Sequence, residues 1–395
     1  MTDSDFHIEI KSQQTNHTGE RICGDVFLTE RINEEDRTII VLSDGMGHGV
    51  KANMLATLTA TMALNFTREH KEVEKIAEII MNTLPVCSDR KISYSTFTII
   101  DIMHNDEVQI LEYDNPATII LRGNRIFYPE WKCVILKSEK NSGKEILSCS
   151  FKPEKEDRIV IFSDGITQSG MGSAKFPFGW GREKVVSEVE LLINRDPAIS
   201  ADAIASRLVN LAVQNDGYQP KDDTSCVSVY FREPRKLLIC SGPPYDQAKD
   251  IDLAGQVKSF KGNKVICGAT TADILSRELD FPIEDSLEFH DKELPPISYM
   301  ESIDLVTEGI LTLGKVSRIL EKYTDQTRLG KGPADEIIRL IMQTDEVHFI
   351  IGTRINVAHQ DPSLPVELEI RRTVIKRIAG ILEKKFLKEL HIQYI

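Results

Sequence analysis

The sequence predicts an α+β domain with layered sheets, followed by an α/β domain in which strands and helices alternate. Two observations predict the first domain: apolar runs end twice in Ser-Asp-Gly, and alternating segments lie between longer helical ones. The third observation is that strand-like and helix-like segments follow one another in turn after residue 235. A chain of 395 residues is long for one core. We therefore expect two domains, at residues 1–234 and 235–395.

The strands of the first domain are predicted from short apolar runs. Residues 36–45 and 157–165 each indicate a buried strand that is closed by Ser-Asp-Gly. Tight turns separate several other segments of β-favouring residues, which indicates antiparallel neighbours. These further strands are predicted at residues 95–103, 108–113, 117–121 and 225–231.

Three helices are predicted in the first domain. Residues 51–66 are rich in Ala, Leu and Met, and residues 73–84 carry apolar side chains at helical spacing. Residues 201–215 follow Ser200, whose hydroxyl is a favourable N-cap. Long helices beside a meander of strands indicate separate helical and sheet layers.

In the second domain the predicted strands and helices alternate, which is typical of a doubly wound sheet. One long helix, or a pair, is predicted at the end of the sequence. The predicted strands are 236–240, 264–267, 303–306 and 347–351, and the predicted helices are 272–279, 315–323, 334–343 and 366–390.

Composition excludes some classes of function. The formal net charge of -13 argues against a nucleic-acid partner, which requires a basic face. No apolar run is long enough to cross a bilayer, and the first residues lack a secretory pattern, so we expect a cytoplasmic protein without a membrane partner. The seven cysteines contain no C-x-x-C pair, so neither a disulfide framework nor a zinc site is indicated.

Acidic residues stand at the ends of several predicted strands. They are Asp25 in CGD, Asp44 in SDGMGHG, Asp164 in SDGIT, and the pair Asp222 and Asp223 in KDDTS. Each alone is more typical of a turn or a solvated loop than of a ligand. Together they offer the oxygen ligands that Mg²⁺ and Mn²⁺ prefer, and the backbone carbonyl of Gly45 is a further candidate.

At these residues the sequence resembles a known family. The order of GD, SDGMGHG, SDG and DDTS, with apolar runs before both SDG motifs, is similar to the metal-dependent phosphatase superfamily that includes type 2C phosphatases. The closest branch is that of the stage II sporulation protein E phosphatases. The resemblance covers residues 15–232 and includes YDNPATIILR at 113–122 and KFPFGWGREKVVSEV at 175–189.

The resemblance implies an α-β-β-α sandwich of two antiparallel sheets between helical layers. It also implies hydrolysis of phosphoserine or phosphothreonine by a water that two ions, Mn²⁺ or Mg²⁺, activate. Asp44 and Asp164 are the implied catalytic residues. The implied metal ligands are Asp44 on both ions, Asp25 and the Gly45 carbonyl on one, and Asp164 with Asp222 on the other, Asp223 being the weaker candidate.

The sequence departs from the eukaryotic branch at Met46. In that branch a histidine thought to be a general acid follows the Asp-Gly pair, whereas here the nearest histidine is His48. His48 is either a proton donor or a residue of conformational importance, and the sequence leaves both open. A separate hypothesis is that the helix after residues 47–51 gates metal binding by moving Asp44; the alternative is a plain core helix.

The resemblance implies a phosphorylated protein as substrate, in bacterial signalling, and an anti-sigma-antagonist type protein is one candidate. The alternative function is a regulatory scaffold on a phosphatase fold with weak or no catalysis. A homodimer is left open. The second domain is expected to be a sensory, docking or ligand-binding module.

Three segments of the second domain are weighed as binding sites. Residues 265–275 form a strand-to-helix junction in which Thr270 or Thr271 is the expected cap. Residues 309–316 match G-x-x-x-x-G-K, but Val316 replaces the expected Ser or Thr, so a helix or core segment is favoured over a phosphate loop. The terminal helix is amphipathic, and packing on its own domain is favoured over a membrane or partner.

Overall fold

A computed structural model describes residues 6–69, 73–83, 95–103, 106–136, 144–324, 326–354, 364–386 and 388–395. The chain divides into two compact units, unit 1 at Met1–Glu233 and unit 2 at Pro234–Ile395. Each unit has buried apolar clusters of its own. Within the described residues, no helix combines the length and apolar character that a membrane span requires.

Unit 1 consists of antiparallel strands and five helices over the part of the chain that is described. The first and last strands of the unit pair with each other along nine residues. The strands are β1 His7–Thr15, β2 Asp25–Ile32, β3 Arg37–Gly45, β4 Ser95–Met103, β5 Glu107–Tyr113, β6 Ile119–Arg122, β7 Arg125–Ile126, β8 Trp131–Ile135, β9 Glu145–Phe151, β10 Asp157–Phe162 and β11 Thr224–Arg232. The helices are α1 Gly49–Arg68, α2 Val73–Thr83, α3 Asp164–Gln168, α4 Arg182–Arg195 and α5 Ala201–Asn215.

The strands of unit 1 form two sheets that pack face to face. One sheet has the order β2-β3-β4-β5-β9-β8, and the other has the order β1-β11-β10-β6-β7. Ile40 and Leu42 of β3 share a buried cluster with Ile159 of β10 and Val227 of β11. Because β3 and β10 are covered on both faces, all of their residues except Asp44 are buried, and the central run of each strand is apolar.

Helices cover the outer face of each sheet. Ala60 of α1 and Ile80 of α2 pack on Ile39 of β3, on the outer side of the six-stranded sheet. On the other side, α4 and α5 pack on the five-stranded sheet through buried residues such as Leu208. Ser200 caps α5 as expected, since its hydroxyl accepts the Ala203 N–H at 3.2 Å. The predicted α-β-β-α sandwich is thus confirmed.

Unit 2 contains one seven-stranded sheet with the order β14-β15-β16-β13-β12-β17-β18. Neighbours from β16 to β18 run parallel, whereas β14 and β15 are antiparallel. The strands are β12 Lys236–Ser241, β13 Asn263–Cys267, β14 Ile283–Asp285, β15 Ser298–Met300, β16 Ile303–Thr307, β17 Glu346–Ile351 and β18 Glu389–Tyr394. The helices are α6 Asp250–Ser259, α7 Ala269–Leu279, α8 Ile310–Lys322, α9 Pro333–Met342 and α10 Leu364–Phe386.

Helices lie on both faces of this sheet, so the predicted α/β architecture is confirmed. Residues of α6 and α7, such as Leu253 and Leu275, pack with Ile266 of β13 on one face. Residues of α8, α9 and α10 pack with the opposite face, where Ile239 and Phe349 are buried. The strands supply alternate side chains to the two cores because successive residues point to opposite faces.

Two details of unit 2 differ from the sequence expectations. The predicted terminal helix over residues 366–390 is wrong at its end, since α10 stops at Phe386 and β18 follows. Leu390 of β18 packs on the same core as Leu382 of α10. The helical spacing of apolar residues therefore continues past the end of the helix. The predicted threonine cap of α7 is also wrong: Gly268 is the N-cap, and the Thr271 hydroxyl accepts the Gly242 N–H at 2.9 Å.

The segment that matched G-x-x-x-x-G-K lies in a helix, as the apolar residues favoured. Gly309 is the N-cap of α8, and Gly314 and Lys315 lie inside the helix. The Lys315 ammonium donates to Asp291 at 2.8 and 2.9 Å and to Glu293 at 3.1 Å. A loop that could wrap around a phosphate is therefore not formed here.

Candidate metal centre

Asp25 and Asp44 lie side by side at one end of the six-stranded sheet. Asp25 is the first residue of β2, and Asp44 is the penultimate residue of β3. The two residues are register partners in this antiparallel pair, and residues directly opposite one another have side chains on the same face. The strands therefore bring together two carboxylates that are 19 residues apart in sequence.

Asp164 and the pair Asp222–Asp223 lie at the corresponding end of the other sheet. Asp164 follows β10 as the first residue of α3, and Asp223 directly precedes β11. Two hydrogen bonds of 3.0 Å link Ser163 and Ser225, one through their backbones and one from the Ser225 N–H to the Ser163 hydroxyl. A Cβ at Gly165 would overlap the carbonyl of Asp223, so this close approach requires glycine.

The carboxylates from the two sheets interact with one another. Burial raises the pKa of Asp44 well above its ordinary value, and the negative charges of Asp25, Asp164 and Asp222 raise it further. Burial also raises the pKa of Asp164, although the nearby Asp44 carboxyl and the Gly165 N–H offset part of that effect. Side chains from four separate segments therefore share one electrostatic site.

Asp25 is one of the two buried members of this carboxylate cluster, with 2% of its surface exposed. Neither of its carboxylate oxygens has a hydrogen-bond partner among the described residues. Burial raises the pKa of Asp25 to about 7, and the nearby hydroxyls of Ser225 and Ser163 only partly oppose this. An ionised carboxylate in such a place requires a compensating cation.

Asp222 and Asp223 occupy different surroundings. Burial and the charge of Asp164 raise the pKa of Asp222 to about 6, and its Oδ1 accepts the Asp223 N–H at 2.9 Å. Asp223 is 2% exposed, its Oδ1 accepts the His17 N–H at 3.0 Å, and its buried Oδ2 has no hydrogen-bond partner among the described residues. Both can therefore offer an oxygen to a cation.

The donor set fits divalent ions of the Mg²⁺ and Mn²⁺ type. The candidate donors are carboxylate oxygens and a backbone carbonyl, which suit hard cations, and no thiol is required. Three carboxylate oxygens, on Asp25 and Asp223, are buried without a hydrogen-bond partner in the described part of the chain. Burial raises the pKa of the nearby Cys23 thiol to about 12, which makes it a poor ligand.

Helix α1 packs directly against this site. Ala52 lies against two glycines: its methyl group faces Gly24, which precedes Asp25, and its backbone faces Gly45, which follows Asp44. A Cβ at Gly24 would lie 2.9 Å from Ala52 Cβ, and a Cβ at Gly45 would overlap the Ala52 carbonyl. Because these atoms are in close contact, α1 cannot move toward the candidate ligands Asp25 and Asp44 without displacing them.

Sequence reasoning did not single out three residues that border the cluster. Asp114 stands at the end of β5 with a φ of 57°, and its charge contributes to the raised pKa of Asp164. Glu20 forms a 2.8 Å pair with His48 Nδ1, and the ring of His17 stacks on that of His48. The position of Asp114 before an Asn-Pro pair was the only sequence signal for that residue. Glu20 and His17 lie too far from His48 in sequence for a local pattern to connect them with it.

Comparison with known protein families assigns the chain that carries this site to a family. The sequence model of the family described as Stage II sporulation protein E (SpoIIE) matches residues 34–232, just over half of the chain. The chain belongs to the SpoIIE family. The resemblance to this family that the motifs indicated is confirmed.

Several solved structures are similar to this SpoIIE-family chain. The phosphatase domain of the cell fate determinant SpoIIE from Bacillus subtilis is 15% identical, with a TM-score of 0.44, over 58% of this chain and 93% of that one. The RsbU and RsbW domains of Rv1364c from Mycobacterium tuberculosis are 15% identical, with a TM-score of 0.45, over 64% and 67% of the two chains. RsbX in complex with magnesium is 19% identical, with a TM-score of 0.39, over 57% and 96%. No curated protein matches the chain.

Asp44, Asp164, Asp222 and Asp223 lie within the residues that the SpoIIE family model matches, and Asp25 precedes them. The position of Asp25 is given by its pairing with Asp44 in the sheet. The structure thus brings every predicted ligand to one end of the sandwich. Which of them bind an ion stays a prediction.

Proposed function

We propose that this SpoIIE-family chain is a metal-dependent protein serine/threonine phosphatase. It hydrolyses phosphoserine and phosphothreonine esters with the help of two divalent ions, Mn²⁺ or Mg²⁺. The observation that carries this proposal is the cluster of buried carboxylates with raised pKa values at one end of the sandwich. Such a cluster is costly for the fold unless cations neutralise it, which points to a metal site rather than a structural one.

We assign the ligands from the arrangement of the strands. Asp44 contacts carboxylates from both sheets, so we assign it to both ions. Asp25 and the Gly45 carbonyl belong with the first ion, because β2 and β3 present them together. Asp164 and Asp222 belong with the second ion, because both lie at the end of the other sheet and the charge of Asp164 raises the pKa of Asp222.

When bound, two such ions supply a more acidic water as nucleophile and positive charge that stabilises the phosphoryl transition state. The residues of the chain fix the ligands in position and partly offset the effect of burial on their ionised forms. The Gly165 N–H and the Asp223 N–H each stabilise the charged form of a neighbouring carboxylate. The strands are rigid, so the spacing of the ligands is set before the substrate binds.

The test is hydrolysis of a phosphoserine peptide and of p-nitrophenyl phosphate by the full chain, in Mn²⁺, in Mg²⁺ and in EDTA. We expect activity that depends on the metal, and a loss of at least about 10²-fold in kcat/KM for Asp44→Asn and Asp164→Asn. Asp106→Asn, at the exposed turn before β5, is the matched control and should be fully active. An inactive wild type in every metal would favour the alternative, a scaffold without catalysis.

The biological setting is a further part of the proposal. Following the family resemblance, we propose bacterial signalling in the cytoplasm, with a small phosphoprotein of the anti-sigma-antagonist type as substrate. Residues 235–395 then serve as a sensory, docking or ligand-binding domain, and the protein works as a homodimer. Faster dephosphorylation of such an antagonist than of an unrelated phosphoprotein would support the substrate, and light scattering would test the dimer.

A further inference from the structure

A histidine–carboxylate pair borders the carboxylate cluster and has no part in the proposed ligand set. His48 Nδ1 lies 2.8 Å from Glu20 Oε1. The ring of His17 stacks on the His48 ring, with a centroid distance of 4.3 Å and an interplanar angle of 11°. The backbone N–H of His17 donates to Asp223 Oδ1 at 3.0 Å. His17 therefore contacts both the His48 ring, through its own ring, and the cluster, through its backbone.

The backbone around His48 is shaped to hold this pair. Gly47 and Gly49 flank the histidine, with φ values of 92° and 72° that favour glycine. A Cβ at Gly49 would lie 2.5 Å from Glu20 Oε2, so a larger residue would displace the carboxylate. Helix α1 begins at Gly49, and its N-terminus favours the nearby negative charge of Glu20.

The pair leaves the second ring nitrogen of His48 available. Among the described residues, none forms a hydrogen bond with His48 Nε2, and 53% of the side chain is exposed. A carboxylate on Nδ1 orients an imidazole so that Nε2 can transfer a proton. The arrangement is thus that of a fixed proton donor at the rim of the site.

The proposed reaction needs such a donor. Hydrolysis of phosphoserine expels a strongly basic alkoxide, which leaves far more readily when it is protonated as the bond breaks. Met46, which follows the Asp44-Gly45 pair, cannot donate a proton. We propose that His48 is the general acid that protonates the serine or threonine oxygen, and that Glu20 is the residue that positions it. This inference rests on the proposed phosphatase function.

Atoms and charge are conserved in the proposed hydrolysis of phosphoserine. A bond forms between the oxygen of water and phosphorus, and the bond between phosphorus and the serine oxygen breaks. The electron pair of the broken bond stays on the serine oxygen, which takes the proton from His48 Nε2. The proton lost by the attacking water goes to solvent, and a solvent proton restores the imidazolium. The products are the free hydroxyl side chain and inorganic phosphate.

The experiment compares two leaving groups in full-length protein at saturating Mn²⁺. The variant His48→Gln should lower kcat for a phosphoserine peptide by about 10²-fold, because proton transfer is lost. With p-nitrophenyl phosphate, whose leaving group departs as a stable anion, kcat should stay within about threefold of wild type. Glu20→Gln should show the same dependence on the leaving group with a smaller loss, since it only positions the imidazole.

Two controls separate this role from a structural one. Mn²⁺ affinity measured by calorimetry should be the same in wild type and His48→Gln. His290→Gln removes a comparable histidine, which pairs with Glu288 at 3.0 Å in unit 2, and should leave both activities unchanged. Equal losses on both substrates, or no loss on the peptide, would overturn the role of His48. A wild type that hydrolyses neither substrate would instead overturn the proposed function.

Discussion

Asp25 shows most clearly how this fold accepts a local cost at its site. Its carboxylate is buried, has no hydrogen-bond partner among the described residues and has a pKa of about 7. The folded chain without metal therefore holds a proton that the unfolded chain releases near pH 4. Proteins commonly tolerate such a cost where binding a ligand reverses it.

The first prediction concerns the stability of Asp25→Asn. In EDTA at pH 8, the variant should have a higher Tm than wild type, because a buried charge is removed. The difference should shrink at pH 5, where Asp25 is protonated in the folded state. The sign follows from the raised pKa: the metal-free wild type loses stability as pH rises from about 4 to about 7.

Mn²⁺ should reverse the order of the two proteins. It should raise the Tm of wild type and have little effect on Asp25→Asn, since a ligand is missing. Differential scanning fluorimetry of both proteins at pH 5 and pH 8, each with Mn²⁺ and with EDTA, measures these differences in Tm. A lower Tm for Asp25→Asn in EDTA at pH 8 would contradict the argument.

The second prediction separates Asp222 from Asp223. Asp222 interacts with Asp44 and Asp164, which hold the proposed second ion, so Asp222→Asn should weaken Mn²⁺ binding by at least about tenfold. Asp223 accepts the His17 N–H. Because alanine removes this acceptor, Asp223→Ala should lower Tm and should weaken Mn²⁺ binding by less than Asp222→Asn does. Calorimetric titration with Mn²⁺ and thermal unfolding of both variants distinguish them, and the reverse pattern would make Asp223 the ligand.

The aspartates could be predicted because each stands in a short motif beside an apolar run. Glu20 could not, since nothing in its local sequence links it to His48, 28 residues away. That contact depends on the turn before β2 and on the two glycines that surround His48. The motifs therefore indicated the candidate ligands, whereas the environment of the candidate acid required the structure.

At the scale of elements, α1 is the part of the fold that can influence the site. Ala52 packs against Gly24 and Gly45, which adjoin Asp25 and Asp44. A small residue is needed there because there is no space for added atoms. The hypothesis that α1 gates metal binding is not tested by this contact, but the contact provides its physical basis.

The third prediction is that Ala52→Leu lowers Mn²⁺ affinity by about tenfold or more. The added carbons must displace α1 from the metal-binding loops, at a cost of about 1–3 kcal/mol. The matched control is Ala60→Leu, two turns further along the same buried face and away from the loops. Ala60→Leu should lower Tm by a similar amount with little change in Mn²⁺ affinity. Equal Mn²⁺ affinities of the two variants would argue that α1 is a plain core helix.

The central strands were predictable, and some of the edge strands were not. Strands such as β3 and β4 are apolar along most of their length, because both faces are buried. β1 is mostly half-exposed, and β18 is an edge strand that follows a helix with the same apolar spacing. In such segments local pattern is weak, and pairing with a distant strand decides the structure.

At the scale of the whole molecule, two units with separate cores account for the length of the chain. The sequence predicted both architectures, because strands and helices alternate in the second domain, whereas the first domain has runs of consecutive strands. It could not predict the order of strands in either sheet. In unit 1 that order joins the first strand to the last, which no local signal specifies.

The fourth prediction follows from the separate cores. Residues 1–233 and 234–395, produced as two proteins, should each unfold cooperatively, because each retains its own buried clusters. The first should keep Mn²⁺-dependent hydrolysis of p-nitrophenyl phosphate within about tenfold of the full chain. Calorimetry and steady-state kinetics test this, and a first fragment that aggregates or lacks activity would contradict it.

The pairing of β1 with β11 also has a consequence during synthesis. Among the described strands, β1 pairs only with β11, which begins at Thr224. About two hundred residues must therefore emerge from the ribosome after β1 before the pair can form. Until then β1 is an unprotected strand with open backbone groups, which makes the nascent chain prone to wrong pairing. We expect chaperones that bind extended segments to act on this protein early, while unit 1 is still being translated.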